Sequence, residues 1–218
     1  HQLPAFEEHL AFVDIQGARP IPGEIAPEPS IDESIYKALC LGVRDYLGKN
    51  GFPGALLGLS GGIDSALTLC IAADALGPDK VHAVMMPSQF TADMSVEDSR
   101  AMVKALGVGY SEIAIKPVFD SYMNALETAF AGRPFDTTEE NLQSRIRGAL
   151  LMALSNKFGS IVLTTGNKSE MSTGYATLYG DMAGGFAVLK DLTKKYVYRL
   201  SRYRNTLSPV IPERVINR

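Results

Sequence analysis

Gly54 to Gly77 reads GALLGLSGGIDSALTLCIAADALG. An apolar run, Ala55–Leu59, meets Ser60-Gly61-Gly62 and then a helix-like stretch that opens with Asp64 and Ser65. A strand, a glycine-rich turn and a helix start in that order gather free backbone N–H groups and the positive end of a helix dipole at one point, which makes an anion site. A phosphate loop of the common kind also carries a Lys-Ser/Thr pair after its last glycine. This stretch has no lysine, and the dinucleotide fingerprint G-x-G-x-x-G is absent too.

Outward from this junction, apolar strands alternate with helical patterns. Strand Ala55–Leu59 leads to helix Asp64–Leu76, and strand Val81–Met86 to helix Val96–Leu106, with Ser95 as its cap. Strand Tyr110–Ile115 leads to helix Val118–Phe130, followed by a long helix, Glu139–Phe158, and strand Ile161–Thr165. A glycine-rich stretch runs from Gly166 to Gly185 before a last helix, about Lys194 to Arg204. The alternation predicts an α/β fold, a doubly wound parallel sheet flanked by helices. Ligands on such sheets bind at the carboxyl ends of the strands, where Ser60 and Thr165 fall. Upstream, Ser30 with Glu33 forms a capping box for a helix ending near Asn50, where Gly51 stops it. Residues 1–29 carry five prolines and no lasting period, so they read as a linker or arm. Residues 30–218 read as the domain.

A chain of 218 residues suits one such domain with an extension. The net charge of −3 gives no basic footprint for nucleic acid. No apolar run approaches the length of a membrane span. Cys40 and Cys70 lie far apart in helical patterns and read as reduced core thiols, which suits a reducing compartment. The N-terminus has neither a signal-peptide pattern nor an initiator Met, so His1 reads as the start of a fragment or an engineered scar.

Two chemistries compete for the junction. Gly58-Leu59-Ser60-Gly61-Gly62 matches the G-x-S-x-G nucleophile elbow, but that needs a late histidine as base. The one histidine after Ser60 is His82, inside the second strand. In the other reading the Ser60 and Ser65 hydroxyls and the Gly61 and Gly62 amides hold phosphate oxygens. Asp64 then repels the phosphate unless a Mg²⁺ lies between them. The plain alternative is that Asp64 only favours the helix dipole.

SGGIDS resembles the pyrophosphate-binding loop of the N-type ATP pyrophosphatases, a group with an adenine nucleotide alpha-hydrolase-like (PP-loop) fold. Within that group, TTEENLQSRIRGALLMALSNKFG, LTTGNKSEMSTGYATLYGDMAGGFAVLKDL and TKKYVYRLSRYRN resemble the synthetase domain of the NAD synthetases, of the glutamine-dependent, two-domain kind. The resemblance covers residues 31–218 and implies an ATP-dependent ligase. ATP adenylates the carboxylate of nicotinic acid adenine dinucleotide (deamido-NAD), and ammonia then displaces AMP to give NAD. It implies ATP contacts at Gly58, Leu59, Ser60, Gly61, Gly62, Ile63, Asp64, Ser65, Thr165 and Lys194. Asn141, Arg145 and Glu170 match the deamido-NAD site, and Asp64 and Glu170 match the Mg²⁺ ligands and catalytic carboxylates. From the residues alone, Asn141 and Arg145 share a helix face, and Arg145 either grips an anion or pairs with Glu140. The Gly166–Gly185 stretch is the natural lid. The resemblance further implies a cytoplasmic homodimer or higher homo-oligomer. The family's glutaminase half, with its Cys–Glu–Lys constellation, has no counterpart in the sequence, and the family continues beyond the final PERVINR into further substrate contacts. Another adenylating amidotransferase, or an idle nucleotide-binding or assembly domain, remains open.

Overall fold

The computed structural model describes residues 1–217. Strands β3 (Ala55–Gly58), β4 (Val81–Met85), β5 (Gly109–Glu112), β6 (Ile161–Thr164) and β7 (Phe186–Ala187) form one sheet in the order 5-4-3-6-7. Every neighbouring pair is parallel, as the alternation predicts. Two short strands, β1 (Ile15–Gln16) and β2 (Arg19–Pro20), pair as an exposed hairpin inside the arm. That hairpin is absent from the sequence reading, because the prolines around it hide so short a pairing.

The helices are α1 (Ile31–Asn50), α2 (Ile63–Leu76), α3 (Asp93–Leu106), α4 (Lys116–Phe130), α5 (Thr137–Phe158), α6 (Lys168–Thr173), α7 (Lys194–Leu207) and α8 (Glu213–Ile216). Strand side chains alternate between two cores. Ala55 and Leu57, Val81 and Ala83, and Ile161 and Leu163 join α1, α2, α3 and α7 on one face. Leu56, Val84 and Val162 join α4 and α5 on the other. Fully burying a Leu or Val of this kind is worth about 1.5–3 kcal/mol. Helix α2 is apolar around most of its surface, Asp64 and Asp74 excepted, so it is largely buried between the sheet and the helices α1 and α7.

The strand order fixes where a ligand goes. From β3 the chain moves outward to β4 and β5 on one side, then returns to place β6 on the other. Such a reversal opens a crevice at the carboxyl ends of β3 and β6. Ser60 and Thr165 follow those two ends.

Three local readings need correction. Ser95 is not the cap of α3. The helix starts at Asp93 with Ala92 as its N-cap, and Ser95 is buried one turn in, against Gly61. The Ser30 hydroxyl does accept from the Glu33 amide, but Glu33 pairs with Lys37 instead of closing the box. The glycine-rich stretch is not all loop, for it contains α6 and leads into β7.

Candidate active site

The turn after β3 is shaped by what surrounds it. Leu59 is buried and its amide donates to the Val84 carbonyl (2.9 Å), which anchors the strand end. Gly61 then takes φ +79°, and a Cβ there would lie 2.6 Å from Ser95 Cβ and 2.8 Å from the Ser95 carbonyl oxygen. Both facts demand glycine. Gly62 is the N-cap of α2 and offers no side chain to the first helical amides, so they stay open to a ligand. The Ser65 hydroxyl donates to the Gly62 carbonyl (3.0 Å) and accepts from the Ser60 amide (3.2 Å). The Ser60 and Ser65 hydroxyls stand 3.1 Å apart, and the Gly62 amide donates to Ser60 Oγ (3.2 Å). The turn is thus closed on itself by groups that an anion can take over. Ile63, like Leu59, turns its side chain into the core, so these two predicted contacts have only backbone to offer.

Asp64, the second residue of α2, ties the turn to the far side of the sheet. Its Oδ1 accepts from Asn167 Nδ2 (2.9 Å), and its Oδ2 pairs with Lys194 Nζ. Asn167 is fully buried and caps α6. Its Oδ1 accepts from the Glu170 amide (3.1 Å), while Glu170 Oε2 accepts from the Asn167 amide (3.0 Å). Asp64, Lys194 and Glu170, three residues carried over from the resemblance, therefore form one network through a fourth, Asn167. The signal that finds Asn167 is the N-x-x-E capping-box spacing in GNKSE, directly after a strand.

Two adjoining cavities open at the crevice. One, of about 350 Å³, is lined by Ser60, Asp64, Ser65, Thr165 and Glu170 among others. The second, of about 470 Å³, lies over Gly58, Met86 and Leu151, and Ser60, Thr164, Thr165 and Asp181 face both. Among the described residues no group of three or more His, Cys, Asp or Glu side chains is placed to hold a metal ion by itself.

Asn141 and Arg145 share a face of α5, and that face grips the segment Gly174–Gly185. Asn141 Oδ1 accepts from Thr177 Oγ1 (2.9 Å), and Arg145 Nε donates to the Leu178 carbonyl (3.2 Å). Neither residue lines the two cavities, and Arg145 makes no ion pair with Glu140. The neighbouring face of α5 does line the larger cavity, through Ser144, Arg147, Gly148 and Leu151. Ser144 Oγ accepts from the Asp181 amide (3.0 Å), and a Cβ on Gly148 would lie 2.8 Å from the Gly180 carbonyl oxygen. Arg147 Nε donates to the Met86 carbonyl (3.1 Å), and burial holds its pKa below the usual arginine value. The sequence reading passed over Ser144 and Arg147. Their spacing with Gly148 and Leu151, i, i+3, i+4, i+7, marks a single helix face.

The hydrolase reading fails on position. His82 sits near the amino end of β4, level with Leu56, and bonds Ser111 (2.8 Å). Ser60 lies four residues beyond that level, past the carboxyl end of β3. Cys40 and Cys70 are buried, and burial pushes both thiols up to about 12.

The comparisons with known proteins point one way. A glutamine-dependent NAD(+) synthetase of Acinetobacter baylyi is 54% identical over 221 residues, which is 100% of this chain and 41% of that protein. One from Thermotoga maritima is 55% identical over 193 residues, 88% of this chain and 34% of its own length. The chain therefore spans about two fifths or less of these curated relatives. Among solved structures, the glutamine-dependent NAD+ synthetase of Acinetobacter baumannii in complex with ADP superposes with a TM-score of 0.88 at 56% identity, over 90% of this chain and 38% of that one. The NH3-dependent NAD synthetase of Campylobacter jejuni, in complex with the nitrate ion, gives 0.77 at 31% identity, over 86% of this chain and 77% of that one. With the NAD synthase profile matching residues 35–218 as well, the chain belongs to the NAD synthase family.

Proposed function

We propose that the chain carries out the ATP-dependent amidation of deamido-NAD to NAD. A carboxylate oxygen of the dinucleotide attacks the α-phosphorus of ATP, and pyrophosphate leaves. Ammonia then attacks the acyl carbon, AMP leaves with the C–O bond electrons, and a proton is released. In a longer protein like the curated relatives, that ammonia comes from glutamine. The observation that carries this reading is the Ser60–Ser65 turn with Asp64 at the crevice of the sheet, in a chain of this family. Residues 30–218 form the synthetase domain, with residues 1–29 as its linker, and the protein works as a cytoplasmic homodimer or higher homo-oligomer.

The reaction needs no nucleophilic side chain, so positioning and charge neutralisation dominate. The Gly61 and Gly62 amides and the Ser60 and Ser65 hydroxyls trade their mutual bonds for phosphate oxygens. Backbone from Gly58 to Ile63 and the Thr165 side chain shape the nucleotide site, and Lys194 supplies positive charge beside Asp64. Asp64 and Glu170 line the same cavity, and two carboxylates there suit Mg²⁺, which takes one or two carboxylates together with phosphate and water. Bound there, Mg²⁺ neutralises charge on the phosphates. Asn141 and Arg145, with Glu170, hold the dinucleotide where α5 meets the Gly174–Gly185 segment. That segment closes over the acyl-adenylate and keeps water from it.

The deciding experiment is ATP–pyrophosphate exchange. Exchange that depends on deamido-NAD is expected. Exchange that starts with xanthosine monophosphate instead, or with neither acceptor, would refute the reading.

A further inference from the structure

Arg147 stands between two spaces. It faces the 470 Å³ cavity that contains Ser60, and also an open groove of about 510 Å³ lined by Phe90, Phe135, Glu140 and Gln143. Among the described residues no other is common to both. The groove offers two aromatic rings, Phe90 at 68% and Phe135 at 54% exposure, on which a flat ring can stack. Among the described residues Arg147 pairs with no carboxylate, although it is half-buried and the partial loss of water lowers its pKa. Glu140 in the groove makes no ion pair with it, and Asp181 in the cavity accepts from the Thr177 amide instead (2.7 Å). The Nε–H is spent on the Met86 carbonyl (3.1 Å), which fixes the guanidinium plane and leaves the terminal N–H groups to be satisfied. A cation removed from water without a counter-charge is costly, and the cost is recovered when an anion binds it. A fixed guanidinium fork matches a carboxylate in two-point geometry.

We propose that Arg147 receives the ionised carboxylate of the dinucleotide substrate and thereby makes the site prefer the acid to its amide product. The proposal rests on the reading given under Proposed function. The substrate's ring lies in the groove, and its carboxylate passes the partition toward the nucleotide held at Ser60. Once ammonia has converted the acid to a neutral amide, the charge-assisted contact is gone and the product is released.

The test is titration calorimetry with deamido-NAD, NAD and ATP on the wild-type chain and on Arg147→Gln, whose amide can still donate to Met86. The wild type is expected to bind deamido-NAD roughly ten- to a hundredfold tighter than NAD, the worth of one charge-assisted contact. In Arg147→Gln that ratio falls toward unity through loss of deamido-NAD affinity, and ATP affinity is unchanged. A ratio that Arg147→Gln retains, or an equal loss for ATP, overturns the proposal while leaving the functional reading in place. A wild type that binds neither dinucleotide overturns both. Should Arg147→Gln not fold, Arg147→Lys carries the same test, because it keeps the charge and loses the fork: a severalfold drop in the ratio supports the proposal, and an intact ratio overturns it.

Discussion

Lys194 meets Asp64 across 130 residues of sequence, the same offset at which Arg204 meets Asp74. Helices α2 and α7 therefore run side by side in the same direction, tied at two levels about 15 Å apart. The Arg204 pair is bidentate, at 2.6 and 3.0 Å, and Tyr36 of α1 donates to the same carboxylate at 2.6 Å. One pair locks the core while the other faces the crevice.

Asp64→Asn should slow adenylation by about 10²–10³-fold, the scale of removing one preorganised electrostatic contact. It should leave the fold intact, since Lys194 is half-exposed and asparagine keeps the side-chain oxygen that accepts from Asn167. Pyrophosphate release and the thermal melt separate the two effects. Near-normal release would remove Asp64 from the chemistry.

Gly61→Ala combines a positive φ with a steric overlap on Ser95. The conformational part alone costs about 1–2 kcal/mol, and the overlap adds to it by pushing α3 away from the turn. A urea midpoint lowered by that much or more, together with loss of ATP binding, is expected. An unchanged midpoint would mean that α3 yields freely.

The two thiols should be inert in the folded chain. Both are buried and pushed up to about 12, and the nucleophilic form of cysteine is the thiolate. A disulfide reagent at pH 8 should find no reactive thiol until denaturant is added. For the same reason NAD formation by this chain should follow added ammonium and not ammonia-free glutamine. Glutamine-supported turnover matching the ammonium rate would reveal a nucleophile elsewhere.

Burial lowers the His82 pKa from its ordinary 6.5. The unfolded chain therefore binds this proton more readily than the folded one. Its contribution to stability is complete above pH 6.5 and is lost as the pH falls from there through the folded value. Replacing His82 with Gln, which can still bond Ser111, should flatten stability across that acid window. An identical slope in wild type and variant would assign the acid sensitivity to other groups.

The parts of this molecule that were readable from sequence are local ones. The Ser60–Ser65 turn is specified by its own glycines and hydroxyls, and Thr165 by its place after an apolar strand. The sheet was readable because strand and helix periods alternate cleanly. What could not be read depends on which face of a helix meets which partner. Helix α5 has one face with Asn141 and Arg145, which grips a loop, and another with Ser144 and Arg147, which lines a cavity. Periodicity defines both faces without ranking them. Asn167 joins Asp64 from 103 residues away, so its role exists only in the folded chain, although its capping box is a local signal.

The two ties between α2 and α7 make the walls of the crevice unequal in stiffness. On one side the phosphate turn rises from a helix held at both levels and buried over most of its surface. On the other, the segment Gly174–Gly185 rests on α5 through polar contacts to Asn141, Ser144 and Arg145, with Tyr175 and Tyr179 largely in solvent. Segments with few buried apolar contacts open at low cost. The soft wall is the one that rearranges at low cost, so thermodynamic coupling between nucleotide and acceptor is expected to run through it. By linkage the coupling is reciprocal: whatever the acceptor gains from a bound nucleotide, the nucleotide gains from a bound acceptor, and stiffening the Gly174–Gly185 segment would shrink both gains together.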